Sequence, residues 1–128
     1  MTRDVIEQFW ATMATNDFDA ASTLLSPDFE YYMPQSQEYL TGRASFAGLN
    51  KTYPAQGAWT FDVRSLVVEA QRAVSEVAIS DGVMKATAVT FHWVRDGFIW
   101  RQVEYWPDPY EAPGFRSKWT KVVDRPPF

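Results

Sequence analysis

Residues 83–106, VMKATAVTFHWVRDGFIWRQVEYW, form two runs of alternating apolar and polar side chains separated by Asp96-Gly97. An Asp-Gly pair readily adopts the positive φ angles of a two-residue hairpin turn, so the runs are predicted to pair as antiparallel strands. This hairpin holds the only histidine of the chain, His92, and a carboxylate, Glu104. The surface or cavity that the hairpin lines therefore decides which chemistry is available.

Side chains on a hairpin alternate between the two faces of the sheet. With Arg95 opposite Phe98, an unbroken register places His92 opposite Arg101 and sends Glu104 to the other face. One predicted face carries Thr90, His92, Val94, Ile99, Arg101, Val103 and Tyr105, and the other carries Val89, Phe91, Trp93, Trp100, Gln102, Glu104 and Trp106. The second face, with four large aromatic rings, one amide and one carboxylate, is typical of a small-molecule pocket. The first is predicted to be an outer surface that pairs subunits, because its apolar side chains need covering.

Three helices and one strand are predicted before residue 59, from apolar side chains at helical spacing and from the capping and breaking residues between them. They are a helix capped by Thr2 that runs to Met13, a short helix from Phe18 to Leu25, a strand over 29–33, a loop over 35–41 and a helix that opens at Gly42 and closes at Pro54. From Trp59 the pattern changes to alternation, which predicts strands. They cover residues 59–70, 72–80, 83–95 and 98–106.

Helices followed by a run of strands are typical of an α+β fold, with three N-terminal helices packed on a strongly curved, mostly antiparallel sheet. Such a sheet encloses a hollow in which a small ligand can bind. The 128 residues suffice for a single domain, residues 1–128. Within it, residues 107–128 are predicted to be a proline-rich tail, because Pro107, Pro109 and Pro113 prevent further ladder pairing.

Composition argues against several classes of partner. The net charge of −4 and the absence of charge blocks argue against nucleic acid. The chain has no cysteine and one histidine, so no metal site and no cofactor are expected. No apolar run approaches membrane-spanning length, and the N-terminus lacks a secretory apolar segment. We therefore expect a cytoplasmic protein without membrane contact.

Several short motifs occur in a fixed order along the chain. They are Asn16-Asp-Phe-Asp19, Ser26-Pro-Asp-Phe-Glu-Tyr-Tyr-Met-Pro34, Gly42 before the third helix, Arg95-Asp-Gly-Phe-Ile99 and Glu104-Tyr-Trp106. In this order and spacing, residues 3–110 resemble the superfamily of nuclear transport factor two, ketosteroid isomerase and the SnoaL-like polyketide cyclases. The resemblance implies a cone-shaped α+β barrel. It does not fix the function, because this fold hosts enzymes, binding proteins and structural subunits.

The catalytic residues of ketosteroid isomerases are not matched. The resemblance places Met33 where those enzymes have an aspartate base, Phe9 where they have a tyrosine acid, and Thr90 or Phe91 where they have a protonated carboxylic acid. A thioether cannot abstract a proton. This departure argues against steroid isomerisation by that mechanism.

The hairpin resembles that of SnoaL-like cyclases more closely than that of ketosteroid isomerases. The cyclases carry a histidine shortly before the turn, which His92 matches, and an acidic residue near the end of the last strand, which Asp108 matches after a one-residue shift. Limonene epoxide hydrolases share the fold and use an Asp-Arg-Asp set. Asp62 and Arg64 are available for that set on one strand face, without a third member.

The candidate catalytic residues are Glu104, His92 and Asp108. Burial among aromatic rings would raise the pKa of Glu104 and suit it to general acid or base catalysis. A histidine ordinarily titrates near neutral pH, so His92 could act as a proton shuttle. Two of them also have a structural interpretation. Glu104 could be a solvent-exposed or hydrogen-bonded structural glutamate, and His92 a surface or interface histidine. The candidate ligand-binding residues are Tyr31, Met33, Trp59, Glu76, Phe91, Trp93, Trp100, Gln102 and Trp106.

Three functions stay open. The first is a cofactor-independent acid–base enzyme of isomerase, cyclase or lyase type, acting on an apolar carbonyl-bearing molecule as a homodimer through the outer sheet face. The second is a non-catalytic module or structural dimer that holds a hydrophobic ligand; a subunit resembling the small subunit of ring-hydroxylating dioxygenases is a third possibility, for which the chain is short. Two converging polar groups in a deep pocket would favour the enzyme, whereas a pocket filled by Trp100 and Trp106 would favour the module.

Overall fold

The computed structural model describes residues 1–128 and contains three α-helices, six strands and one short 3₁₀ turn. The helices are α1 (Thr2–Met13), α2 (Phe18–Ser22) and α3 (Arg43–Thr52), and the turn is Gly114–Arg116. The strands are β1 (Leu25–Met33), β2 (Glu38–Thr41), β3 (Thr60–Glu69), β4 (Arg72–Ser80), β5 (Lys85–Arg95) and β6 (Phe98–Tyr105). The predicted α+β class is confirmed. The predicted loop over 35–41 is wrong in part, because residues 38–41 pair with β1 as an edge strand.

The first two helices follow from the apolar spacing and from a side-chain cap. The buried side chains of α1 are Ile6, Phe9, Trp10 and Met13 at helical spacing, together with Thr2. At the start of α2, the Asp17 carboxylate accepts a hydrogen bond from the Ala20 backbone N–H at 2.9 Å. Asn16, between the helices, exchanges two 2.8 Å hydrogen bonds with the backbone of Trp59. The α1–α2 turn is thereby tied to the start of β3.

The six strands form one sheet in the order β2-β1-β6-β5-β4-β3. Neighbours are antiparallel except β1 and β6, which are parallel. The helices pack on the inner face, where Phe9 and Phe29 contact Phe46 with ring centroids 5.9 and 5.7 Å apart. The core lies between this face and the helices. None of the helices has the length and apolarity that crossing a bilayer requires.

The β5–β6 hairpin contains a bulge. Asp96 and Gly97 adopt the expected positive φ angles of 54° and 80°, and Arg95 pairs with Phe98 as predicted. After Val94 pairs with Ile99, however, Trp93 pairs with Arg101. Trp100 is therefore an extra residue, and every later pair is shifted by one.

The shift places His92 opposite Gln102 and Thr90 opposite Glu104. All four side chains are buried on the inner face. The prediction that His92 and Glu104 lie on opposite faces is therefore wrong. Paired residues share a face of a sheet, so one extra residue is enough to bring the two sets together.

The same shift moves three predicted pocket residues to the outer face. Trp93 and Trp100 stack there with arginines, with Arg72 4.7 Å from the ring centre of Trp93 and Arg101 4.3 Å from that of Trp100. Phe91 lies on this face against Tyr105, with ring centroids 6.1 Å apart. Conversely, Val94 and Ile99, which were predicted to be on the outer face, are core residues. The predicted assignment of the two faces is wrong for all of these residues.

Candidate functional site

A cavity of about 1370 Å³ opens between the helices and the inner face of the sheet. This volume exceeds the roughly 300–1,000 Å³ of a typical ligand pocket. Aromatic rings from α1, α3 and the sheet form much of its wall, among them Phe9, Trp10, Phe46, Trp59, Phe61 and Trp106. The cavity therefore suits a bulky apolar molecule.

Two polar side chains meet in the wall of the cavity. Tyr31 on β1 and Glu104 on β6 are brought together because these strands are neighbours. The Tyr31 hydroxyl donates to Oε1 of Glu104. Oε2 of Glu104 accepts a hydrogen bond from Oγ1 of Thr90 at 2.6 Å. Sequence reasoning missed Thr90 as a partner of the carboxyl, since only the bulge places it opposite Glu104.

Burial changes the acidity of both cavity groups. Loss of water raises the pKa of the Glu104 carboxyl above its ordinary value, and the hydrogen bonds from Thr90 and Tyr31 offset only part of this effect. Burial, followed by the nearby Glu104 carboxylate, raises the pKa of Tyr31 well above 10. Tyr31 thus stays protonated as a donor, and Glu104 exchanges a proton at higher pH than an exposed glutamate does. The pair can supply a base and a hydrogen-bond donor from one place.

His92 belongs to a buried hydrogen-bonded chain behind the cavity wall. Its Nε2 lies 2.7 Å from Oγ of Ser75 and its Nδ1 lies 2.8 Å from Nε2 of Gln102. Trp10 donates its indole N–H to the same Ser75 hydroxyl at 3.1 Å. Burial lowers the pKa of His92 to about 3, so the ring is neutral. Neither His92 nor Gln102 lines the cavity, which does not favour the predicted proton shuttle.

The remaining predicted residues divide between the cavity and the surface. Met33, Trp59 and Trp106 line the cavity, and the exposed Asp108 lies at its mouth. Glu76 is exposed on β4, outside the cavity, contrary to its predicted inward orientation. Asp108 and Glu104 therefore line the same cavity in different surroundings, one exposed and the other buried.

Charged groups at the mouth include an ion pair on β3. Arg64 Nε lies 3.1 Å from Asp62 Oδ2, and both exposed side chains belong to the cavity rim. No group of three or more histidine, cysteine, aspartate or glutamate side chains is placed to hold a metal ion.

The sequence model of the SnoaL-like domain matches residues 6–102, and the chain belongs to this family. Among solved structures, a ketosteroid isomerase-like protein from Kribbella flavida is 30% identical, with a TM-score of 0.89 over 97% of this chain and 90% of that one. A nuclear transport factor two-like protein of unknown function from Burkholderia xenovorans is 31% identical, with a TM-score of 0.79 over 95% of this chain and 94% of that one.

More distant structures share the fold. An LEH-like epoxide hydrolase of Mycobacterium tuberculosis is 17% identical, with a TM-score of 0.67 over 83% of this chain and 82% of that one. A search of curated protein sequences found no match. The family and the fold are thus established, and the chemistry has to be inferred from the site.

Proposed function

We propose that this protein is a cofactor-independent acid–base enzyme that moves a proton within an apolar, carbonyl-bearing small molecule. The observation that carries the proposal is the Tyr31–Glu104 pair, a donor and a carboxyl joined by a hydrogen bond in an aromatic cavity. Isomerisation, cyclisation and elimination at a carbonyl compound all begin with such a proton transfer.

In the proposed reaction, the substrate carbonyl oxygen displaces the carboxyl as the partner of the Tyr31 hydroxyl. The Glu104 carboxylate takes a proton from the carbon next to the carbonyl, and the electron pair of that C–H bond moves onto the carbonyl oxygen as an enolate. Tyr31 stabilises this oxyanion by donating to it. Glu104 then returns the proton to another carbon or to a leaving oxygen.

The positions of the tryptophans support catalysis over simple ligand storage. Trp100 lies on the outer face and Trp106 lines the wall, so neither fills the cavity. Tyr31 and Glu104 converge on the open space instead. A module that only stores an apolar ligand has no need for a buried carboxyl, whose desolvation costs folding free energy that hydrogen bonds have to offset.

Hydrogen–deuterium exchange tests the proposal without knowledge of the natural substrate. A panel of cyclic and polycyclic ketones is incubated with the protein in D₂O, and incorporation of deuterium next to the carbonyl is followed by mass spectrometry. We expect accelerated exchange of the ketones that bind. Glu104→Gln should lower that rate about 10²–10⁴-fold, the range typical of general acid–base catalysis.

Tyr31→Phe should slow exchange as well, because the enolate loses its donor. Tyr53→Phe and Glu38→Gln are matched controls, since both side chains line the cavity without bonding to Glu104, and they should retain the wild-type rate. Ketones that quench the cavity tryptophans yet exchange no faster than in buffer would refute catalysis and leave a binding module.

A further inference from the structure

Residues 107–128, here called the arm, follow β6, and among them only residues 107–110 line the cavity. Every hydrogen bond made by their backbone, and the one made by Thr120 Oγ1, ends within the arm. None of the five ion pairs of the chain involves the arm. All residues of the arm are exposed except Pro113, which is half-buried.

The arm is nevertheless rich in large apolar side chains. Phe115 and Trp119 are 79% and 77% exposed, and Val122 is 86% exposed. Isolated apolar residues are common on surfaces, but several along one exposed segment mark a binding element. The arm therefore has the composition of an element that packs against something.

Solved relatives contain residues that match most of the arm. The Kribbella and Burkholderia structures match 97% and 95% of this chain, which leaves only about four and about six of its residues unmatched. Most of the arm therefore has an ordered counterpart in both. Chain termini are poorly ordered unless something holds them. Because residues 111–128 make no hydrogen bond or ion pair with their own domain, a surface on another molecule is the candidate for holding them.

Charge indicates which molecule supplies that surface. The arm contains four basic and three acidic side chains, whereas residues 1–106 contain eight basic and thirteen acidic ones. An arm with a net positive charge is attracted to a body with a net negative charge, and oppositely charged surfaces favour association. We propose that the arm packs against the body of a second copy of this chain. Two copies related by a twofold axis each give and receive one arm, which closes the assembly.

Cross-linking in the full-length protein tests this exchange. The chain has no cysteine, so Ser117→Cys provides a single attachment point in the arm for a benzophenone probe. Equal amounts of ¹⁴N- and ¹⁵N-labelled protein are mixed, irradiated and digested, and the linked peptides are identified by mass. We expect the arm of one isotope to be linked to body peptides of the other. The same probe at Thr52→Cys, on α3, measures random collisions.

Sedimentation velocity supplies the second measurement. The double variant Phe115→Ala and Trp119→Ala should raise the dissociation constant of the dimer about tenfold or more. Thr120→Ala, in the same arm, should leave it unchanged, because that hydroxyl bonds only to Arg116. Cross-links confined to single copies would show that the arm folds onto its own body. That result, no cross-link above the Thr52 control, or an unchanged dissociation constant of the double variant would overturn the proposal.

Discussion

The carboxyl of Glu104 is held on one side and open on the other. Thr90, which is fully buried, donates to Oε2 and has no access to the cavity. Tyr31 donates to Oε1 and lines the cavity. A ligand oxygen can therefore take over the Tyr31 hydroxyl while Thr90 keeps the carboxyl in position. Tyr31 and Glu104 line the cavity and are therefore the proposed catalytic residues. Thr90 does not line it and is therefore proposed to position the carboxyl.

His92 gives a pH dependence of stability with a definite sign. Its pKa is lowered by burial from 6.5 to about 3, so between these values the unfolded chain binds the proton more strongly than the folded one. Stability that is present above pH 6.5 is thus lost as the pH falls toward 3. From His92 alone, we expect the free energy of unfolding to drop by about 2 kcal/mol between about pH 7 and about pH 5.

Urea unfolding of wild type and His92→Gln at the two pH values measures this drop. Glu104 acts in the opposite direction, because its raised pKa provides stability that is present below 4.5 and is lost as the pH rises through the raised value. Both proteins retain Glu104, so the difference between them isolates His92. Parallel pH dependences of the two proteins would contradict the buried, neutral histidine.

The element that determines the site is the bulged β5–β6 hairpin. Without the extra residue, Trp100, the side chains of Gln102 and Glu104 would point away from Thr90 and His92. With it, the carboxyl reaches Thr90, and the amide of Gln102 reaches the ring of His92. One extra residue thus builds both the cavity pair and the buried chain behind it.

The sequence predicts those elements that depend on local patterns. Helical spacing, alternation and the Asp96-Gly97 turn depend on neighbours along the chain, and the helices and long strands lie close to where those patterns place them. Tyr31, Met33 and Trp59 line the cavity at positions that do not depend on the hairpin register. These features needed no knowledge of distant contacts.

The bulge at Trp100 leaves no signal in the alternation of the sequence, and both neighbouring arginines contact side chains there. The Trp100 ring lies 4.5 Å from the Arg95 guanidinium, and Arg101 bonds to Glu30 of β1 at 2.9 Å. No glycine marks the position. Strict alternation of side chains along the hairpin therefore predicted the wrong face for Phe91 and Trp93. It also placed His92 and Glu104 on opposite faces. The edge strand β2 was missed for a similar reason, because its four residues gain strand structure only by pairing with β1.

At the scale of the whole molecule, the outer face of the sheet is uncovered. Phe91, Trp93, Trp100 and Val103 are half-buried there, and Tyr105 is exposed. We propose that a second copy of the chain packs on this face, so that sedimentation of the full-length protein gives a mass of twice 14.7 kDa. Val103→Glu would bury a charge at this contact and should yield monomers.

Val67→Glu is the matched control for that substitution. Val67 lies on the edge strand β3 and is 63% exposed, so the same charge there stays in water and should leave the dimer intact. A Val103→Glu protein that sediments like wild type would exclude the outer face as the contact.

The proposed chemistry requires that the bulge place Glu104 in the cavity and that burial there raise the pKa of its carboxyl. Difference infrared spectroscopy of wild type and Glu104→Gln, recorded from about pH 4 to about pH 9, isolates the carbonyl stretch of this one protonated carboxyl. We expect the band to persist at pH values above those at which exposed glutamates ionise, because burial raises the pKa of this carboxyl. A band that disappears at the pH where exposed glutamates ionise, about 4.3, would contradict a desolvated acid–base carboxyl in the cavity.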